Sequence, residues 1–216
     1  MTAEGRARVT VTGSGTAGCP ADLAQATFVA EAVRGSAAEA RSAAAGIAAA
    51  VIGALRGAGV EDTDLRTAAL DVSPNWEHDG TRMVRNGFTV TNRIAVTVRD
   101  LEAVGRVLDA GLEAGATGLD GVSFLLADPA PAAQEARRAA VADARHRAET
   151  IADAAGGRLG PLVGIVEGAP AGPSPFPAPR MMAVAADAAP TPVLPGRIEV
   201  SVTVTAEWEL LPVGLV

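Results

Sequence analysis

The stretch Asn75–Gly87, NWEHDGTRMVRNG, puts a tryptophan, two acids and one of the chain's two histidines within a few residues. Glu77, His78 and Asp79 are side-chain types that hold divalent metals or pass protons. A zinc site takes three or four ligands, and the chain offers no histidine pair at i, i+4 and no Cys-x-x-Cys. A phosphohydrolase of the His-Asp kind needs further histidines. Asp79-Gly80 is a hairpin signal, because glycine takes positive φ without a steric penalty. The residues are therefore read as a hairpin tip between a strand ending near Trp76 and one starting near Met83. The alternative is a metal- or ligand-dependent hydrolase, or a small-molecule-binding protein, using the His78 loop or a pocket between sheet and helices.

Other candidates are read in the same way. His146 lies mid-helix between Arg145 and Arg147 and is expected to be exposed. Cys19 is the only cysteine, which rules out an intrachain disulfide; it is expected in a loop or buried. The glycine-rich GSGTAGCP lacks the lysine of a phosphate-binding loop and leads into a strand, so it is read as a turn. Trp76 and Trp208 are expected to pack in the core or at strand ends. Ser36 and Asp100 are read as helix caps. No catalytic, cofactor-binding or metal-ligating residue is assigned. Phe176, Met181, Met182 and Val184 are apolar residues in a segment unsuited to a core. They are predicted to form an interaction loop that orders at a subunit interface.

Composition narrows the classes further. The 216 residues are 49% hydrophobic but only 3% aromatic, so the core is built from small side chains and Val/Ile/Leu strands. Net charge is -7, and the densest arginine group, Arg137, Arg138, Arg145 and Arg147, is interleaved with Glu135, Asp143 and Glu149. That pattern offers no one-sided basic face for nucleic acid. No apolar run approaches the roughly 18 residues of a membrane span without Gly, Arg or Asp interrupting it. The N-terminus enters an alternating strand without the apolar region of a secretory signal, which predicts a cytoplasmic protein.

The elements follow from periodicity. Val9 and Val11 open a strand. Ala26, Phe28, Ala30 and Ala32 alternate with Thr27, Val29, Glu31 and Val33 in a second. Ser36 and Glu39 form a capping box before a helix whose buried stripe is Ala40, Ala44, Ile47, Val51 and Leu55. Strands follow from Leu65 to Trp76 and over GFTVTNRIAVTVRD. A helix after Asp100 carries Leu101, Val104, Leu108 and Leu112, and a short strand covers GVSFLLAD. A long helix from Pro131 to Ala155 is predicted to bury Ala136, Ala139 or Ala140, Ala144, Ala148, Ile151 and Ala155. A strand at PLVGIVEG precedes residues 169–196, whose prolines predict a flexible or polyproline-like loop. RIEVSVTVTAEWEL is the clearest strand of all, with Arg197 to Leu211 a candidate exposed edge for pairing between subunits. The class is α+β: antiparallel sheet with three helices packed on one face.

With the elements in place, the sequence resembles the SIMPL-domain family, which includes the bacterial periplasmic immunogenic outer-membrane-associated proteins. The likeness rests on the order and spacing of VTVTGSGTA, GAGVEDTDLRT, GFTVTNRIAVTVRDLEAVGRVLDAGLEAGA, GVSFLLAD, the Ala/Arg-rich helix and PG.IEVSVTVTAEWEL. It implies one SIMPL-type domain over residues 7–211 with a Pro/Ala-rich insertion at 169–196. It further implies homo-oligomers, a possible protein partner, no established enzymatic activity, no cofactor, and links to the bacterial envelope and to stress tolerance. The expectation is a non-enzymatic, oligomer-forming protein of assembly or interaction type, without integral membrane segment or nucleic-acid partner.

Overall fold

A computed structural model describes residues 7–78, 80–168, the backbone of 171–175, and 191–212. The chain divides into two compact units. Unit 1 takes its described residues from 7–20, 126–175 and 196–212, and unit 2 from 21–125 and 191–195. The observed order matches the predicted one, with one short strand added inside the expected loop. Each sheet is antiparallel, so the α+β class holds.

Unit 2 is a four-stranded sheet in the order β3-β4-β2-β5, built from β2 (Leu23–Arg34), β3 (Leu65–His78), β4 (Met83–Val98) and β5 (Gly118–Leu125). Ala26, Phe28, Ala30 and Ala32 of β2 are buried, as alternation requires. Helix α1 (Ala37–Gly57) starts at a true capping box: the Glu39 N–H donates to Ser36 Oγ at 3.3 Å, and the Ser36 N–H donates to the Glu39 carboxylate at 3.2 Å. Its buried stripe is Ala40, Ala44, Ala48, Val51 and Leu55, with Ile47 only partly covered. The α1 span is long and apolar enough to cross a membrane, but here that stripe packs on the sheet. Asp100 accepts the Glu102 N–H at 3.0 Å and sets a short 3-10 turn that leads into α2 (Val104–Glu113). Leu112, expected in the core, is 44% exposed; Val104, Val107, Leu108 and Gly111 take the inner face, and the Phe28 ring lies against Gly111.

Unit 1 has β1 (Arg8–Pro20), β8 (Arg197–Pro212) and β6 (Gly157–Glu167) in the order β1-β8-β6, with α3 (Ala130–Ala154) on one face. The strand β7 (Ala171–Pro175) pairs with the Arg197 end of β8. It interrupts the loop expected over 169–196, and its prolines are tolerated because it bonds to one neighbour only. β8 is central, not an edge: β1 and β6 flank it.

The expected turn at GSGTAGCP is strand. β1 runs unbroken to Pro20, its buried positions continuing from Val9 and Val11 through Gly13, Gly15 and Ala17. The glycines let α3 lie against the strand backbone. A methyl group on Gly13 would collide with the Ala140 carbonyl and the Ala144 amide, and one on Gly15 with the Ala136 carbonyl and the Ala140 amide. The helix answers with alanine at every fourth position, Ala132 through Ala152. Ile151, expected on that stripe, is 47% exposed because a strict four-residue repeat leaves it to one side.

Candidate interaction surface

The residues that could do chemistry do not converge. His78 ends β3 opposite Met83, and Gly80, at φ +71, turns the hairpin. Glu77 accepts from Asn86 Nδ2 across the arm, and Asp79 lies outside the described residues. His78 and His146 are both exposed and belong to different units. Cys19 is a half-buried thiol within β1, not in a loop. Trp208 is buried, but Trp76, expected to pack, is 53% exposed on the hairpin arm. Among the described residues, no three His, Cys, Asp or Glu side chains group as metal ligands. Phe176, Met181, Met182 and Val184 lie outside the described residues.

Where charges meet, they pair. A cleft of about 370 Å³ in unit 2, lined by Val60, Asp64, Arg99, Asp100 and Arg106, holds a two-pronged ion pair. Arg99 Nε and Nη2 donate to the Asp64 carboxylate at 2.9 and 2.7 Å. These hydrogen bonds, then charge attraction, raise the Arg99 pKa further above its ordinary value. On the sheet face opposite the helices, Arg93 bridges Asp71 at 3.1 Å and Asp120 at 3.0 Å, and Thr91 donates to Glu31 at 2.9 Å. On α3, Arg145 pairs with Glu149 and Arg147 with Asp143, while Arg137 reaches Glu167 of β6.

Three of the edge strands, β3, β6 and β1, are guarded. Strand addition needs a straight edge with free N–H and C=O groups, and proline or a bulge spoils one. β3 carries Pro74 and register breaks between Thr67 and Ala69 and between Pro74 and Trp76. β6 carries Pro161 and breaks on both sides of Leu162. On β1 the guard is a side chain: the Ser14 N–H donates to the Asp143 carboxylate at 2.8 Å, and Arg147 holds that carboxylate at 3.0 Å. The Ser14 hydrogen bond, then Arg147, keeps the Asp143 carboxyl below the usual carboxylate range.

The strand faces, by contrast, are left open. Leu70 and Val72 of β3 are 57% and 53% exposed, because α1 lies over β2 and β4 and barely reaches β3. Leu162 and Ile165 of β6, paired with Trp208 and Ala206 on the helix side, are also exposed, since α3 covers mainly β1 and β8; Val166, paired with Thr205, is exposed on the opposite face. Runs of uncovered aliphatic side chains mark contact surfaces. Sequence reasoning missed both. Alternation showed which residues share a face, but helix coverage depends on where a helix comes to rest.

The model of the SIMPL family, described as a protein of unknown function (DUF541), matches residues 9–208. The chain belongs to the SIMPL family. The SIMPL match runs through both units and agrees with the resemblance carried by the ordered strand and helix patterns. The 26 kDa periplasmic immunogenic protein of Brucella abortus is 32% identical over 94% of this chain and 85% of its own length. The uncharacterized protein YggE of Edwardsiella ictaluri is 31% identical over 70% of this chain and 65% of its own length. YggE of Escherichia coli K12 is 30% identical over 47% of this chain and 42% of its own length. The Brucella relative is named as periplasmic, and the comparisons do not support the cytoplasmic placement expected from the N-terminus.

Proposed function

We propose that this SIMPL protein is a non-catalytic assembly protein that works as a homo-oligomer in the bacterial envelope. One observation carries the reading: aliphatic side chains stand uncovered on strand faces in both units, while the strand edges beside them are guarded. A chain protected against open-ended strand addition but bearing open apolar faces is suited to a closed assembly. The periplasmic name of the Brucella relative supports the compartment. The stress-related role that the family resemblance implies would then be exerted by the assembly. The hydrolase reading has weaker support, because His78 stands exposed at the end of an arm with Met83 as its strand partner.

Native mass spectrometry of the untagged protein tests the proposal. A discrete mass above the monomer, unchanged on dilution, supports it. A monomer at every concentration overturns it. Fractionation of the producing cells tests the compartment, with recovery in the periplasmic fraction expected.

A further inference from the structure

β1 is an edge of its sheet, with β8 on one side only. Its register with β8 runs without a break from Arg8 to Pro20, and no proline precedes Pro20 in the strand. The Leu210 N–H donates to the Ala7 carbonyl, so odd-numbered residues turn their backbone groups toward β8. Those of Arg8, Thr10, Thr12 and Ser14 point outward. The Ser14 N–H follows this rule, because it reaches Asp143 and not β8. Farther along, the Gly18 carbonyl accepts from Arg197. The guard on β1 thus takes one N–H at Ser14. Before it, residues 8–12 keep a straight row of outward N–H and C=O groups.

A groove of about 580 Å³ runs beside that row, between Val11 and Thr12 of β1 and His146, Arg147, Thr150 and Ile151 of α3. Val11 turns toward α3, as its place in the unit 1 core shows, and Ile151 stands 47% exposed on the helix flank. Opposed residues of an antiparallel pair share a face. A residue laid opposite Val11 would enter the groove, and those opposite Thr10 and Thr12 would face away from α3. The helix also limits what can lie there. It rests on the β1 backbone at Gly13 and Gly15. Neighbouring strands stand about 4.8 Å apart, whereas packed helices need about 8–10 Å. An antiparallel β1 from a second copy would bring its own α3 to the same face, too close to this one. An extended segment with no helix above it meets no such obstacle.

We infer that the groove between residues 8–12 of β1 and α3 binds an extended peptide segment of a partner protein as an added antiparallel strand. The peptide backbone hydrogen-bonds to Thr10 and Thr12, and one aliphatic side chain, opposite Val11, seats against Thr150 and Ile151. Main-chain bonds supply affinity in such an addition, and the recess for alternate side chains supplies selection. Asp143, by occupying the Ser14 N–H, ends the added strand and keeps it short. The inference goes beyond the assembly reading and does not depend on it.

The test titrates the full chain with the peptide acetyl-Thr-Val-Thr-Val-Thr-amide and with two N-methylated forms of it, followed by calorimetry. With valine opposite Val11, the threonine nitrogens face β1 and the valine nitrogens face solvent. Methyl groups on the threonine nitrogens are expected to weaken binding by about tenfold or more, and those on the valine nitrogens to leave it nearly unchanged. Ile151→Arg fills the recess from an exposed position and is expected to lose the peptide. Thr12→Pro removes an outward donor without touching the ladder to β8, and the same loss is expected. Circular dichroism checks that both variants fold. A wild type that does not take up the peptide overturns the inference. So do equal affinities for the two methylated forms, and binding that survives both substitutions. A native mass that falls in Ile151→Arg assigns the groove to a second copy and overturns the peptide reading.

Discussion

The two units solve the same problem, a helix on an antiparallel sheet, with opposite materials. Unit 2 fills the space with side chains: Phe28, Val51, Leu55, Ile94, Val104 and Val107 are all at or below 1% exposure. Unit 1 removes the space. Gly13 and Gly15 lie directly under the α3 backbone, the helix contributes alanines, and the bulk comes from Ile198, Val200, Val202, Val204 and Trp208 of β8. Interiors of either kind reach similar density, but they fail in opposite directions. Unit 2 suffers when atoms are taken away, and unit 1 when they are added.

The strongest way to break the contrast is Phe28→Ala. It opens a cavity between β2 and α2 and is expected to cost about 3–5 kcal/mol in denaturant unfolding. Hydrogen exchange should speed in β2, β4 and α2 more than in β1 and β8. Gly15→Ala is the counterpart. One added methyl meets α3 backbone atoms that cannot swing aside, so a loss of about 1–3 kcal/mol is expected, with exchange rising first in β1 and α3. If Gly15→Ala is neutral, the close approach of α3 is wrong. Gly53→Ala sharpens the comparison from the other side. Gly53 is inside α1 with open space at its Cβ position, so this substitution should stabilise the chain by about 0.5–1 kcal/mol in the same titration. Glycine is then required at Gly15 and dispensable at Gly53.

The smallest effect concerns the guard on β1. The native carboxyl of Asp143 has a lower pKa than in the unfolded chain, so its contribution is complete above the ordinary carboxylate range and fades as pH falls through the depressed native value. Asp143→Asn should unfold at a lower urea concentration than wild type at neutral pH, with the difference closing in strong acid. A gap that persists there would assign the role to shape instead of charge.

Much of the fold was legible because its signals are local. The capping box at Ser36 and Glu39, the alternation of β2 and β8, and the glycines after α1, α2 and α3 each act within a few residues. What misled was local chemistry serving a distant need. GSGTAGCP carries the residues of a turn, yet its glycines answer to Ala136, Ala140 and Ala144, more than a hundred residues away. Leu70 alternates as a core residue does, and the resting place of α1 leaves it uncovered, while Trp76 lies on the hairpin arm beyond the last pair of β2 with β4. The candidate surface was illegible for the same reason.

The pairing of β1 with β8 carries a consequence for how the protein is made. Arg8 is matched with Glu209, a separation close to the whole chain. As the polypeptide emerges from the ribosome, β2, β4 and α1 can meet early, since their contacts lie within residues 21–125. The glycine-rich first strand has no sheet to join until β8 is synthesised. Folding of unit 1 thus waits for the synthesis of β8, and slow closure is expected from so long a loop. Throughout that interval β1, with three glycines and few bulky side chains, is among the least sticky strands the chain could leave waiting.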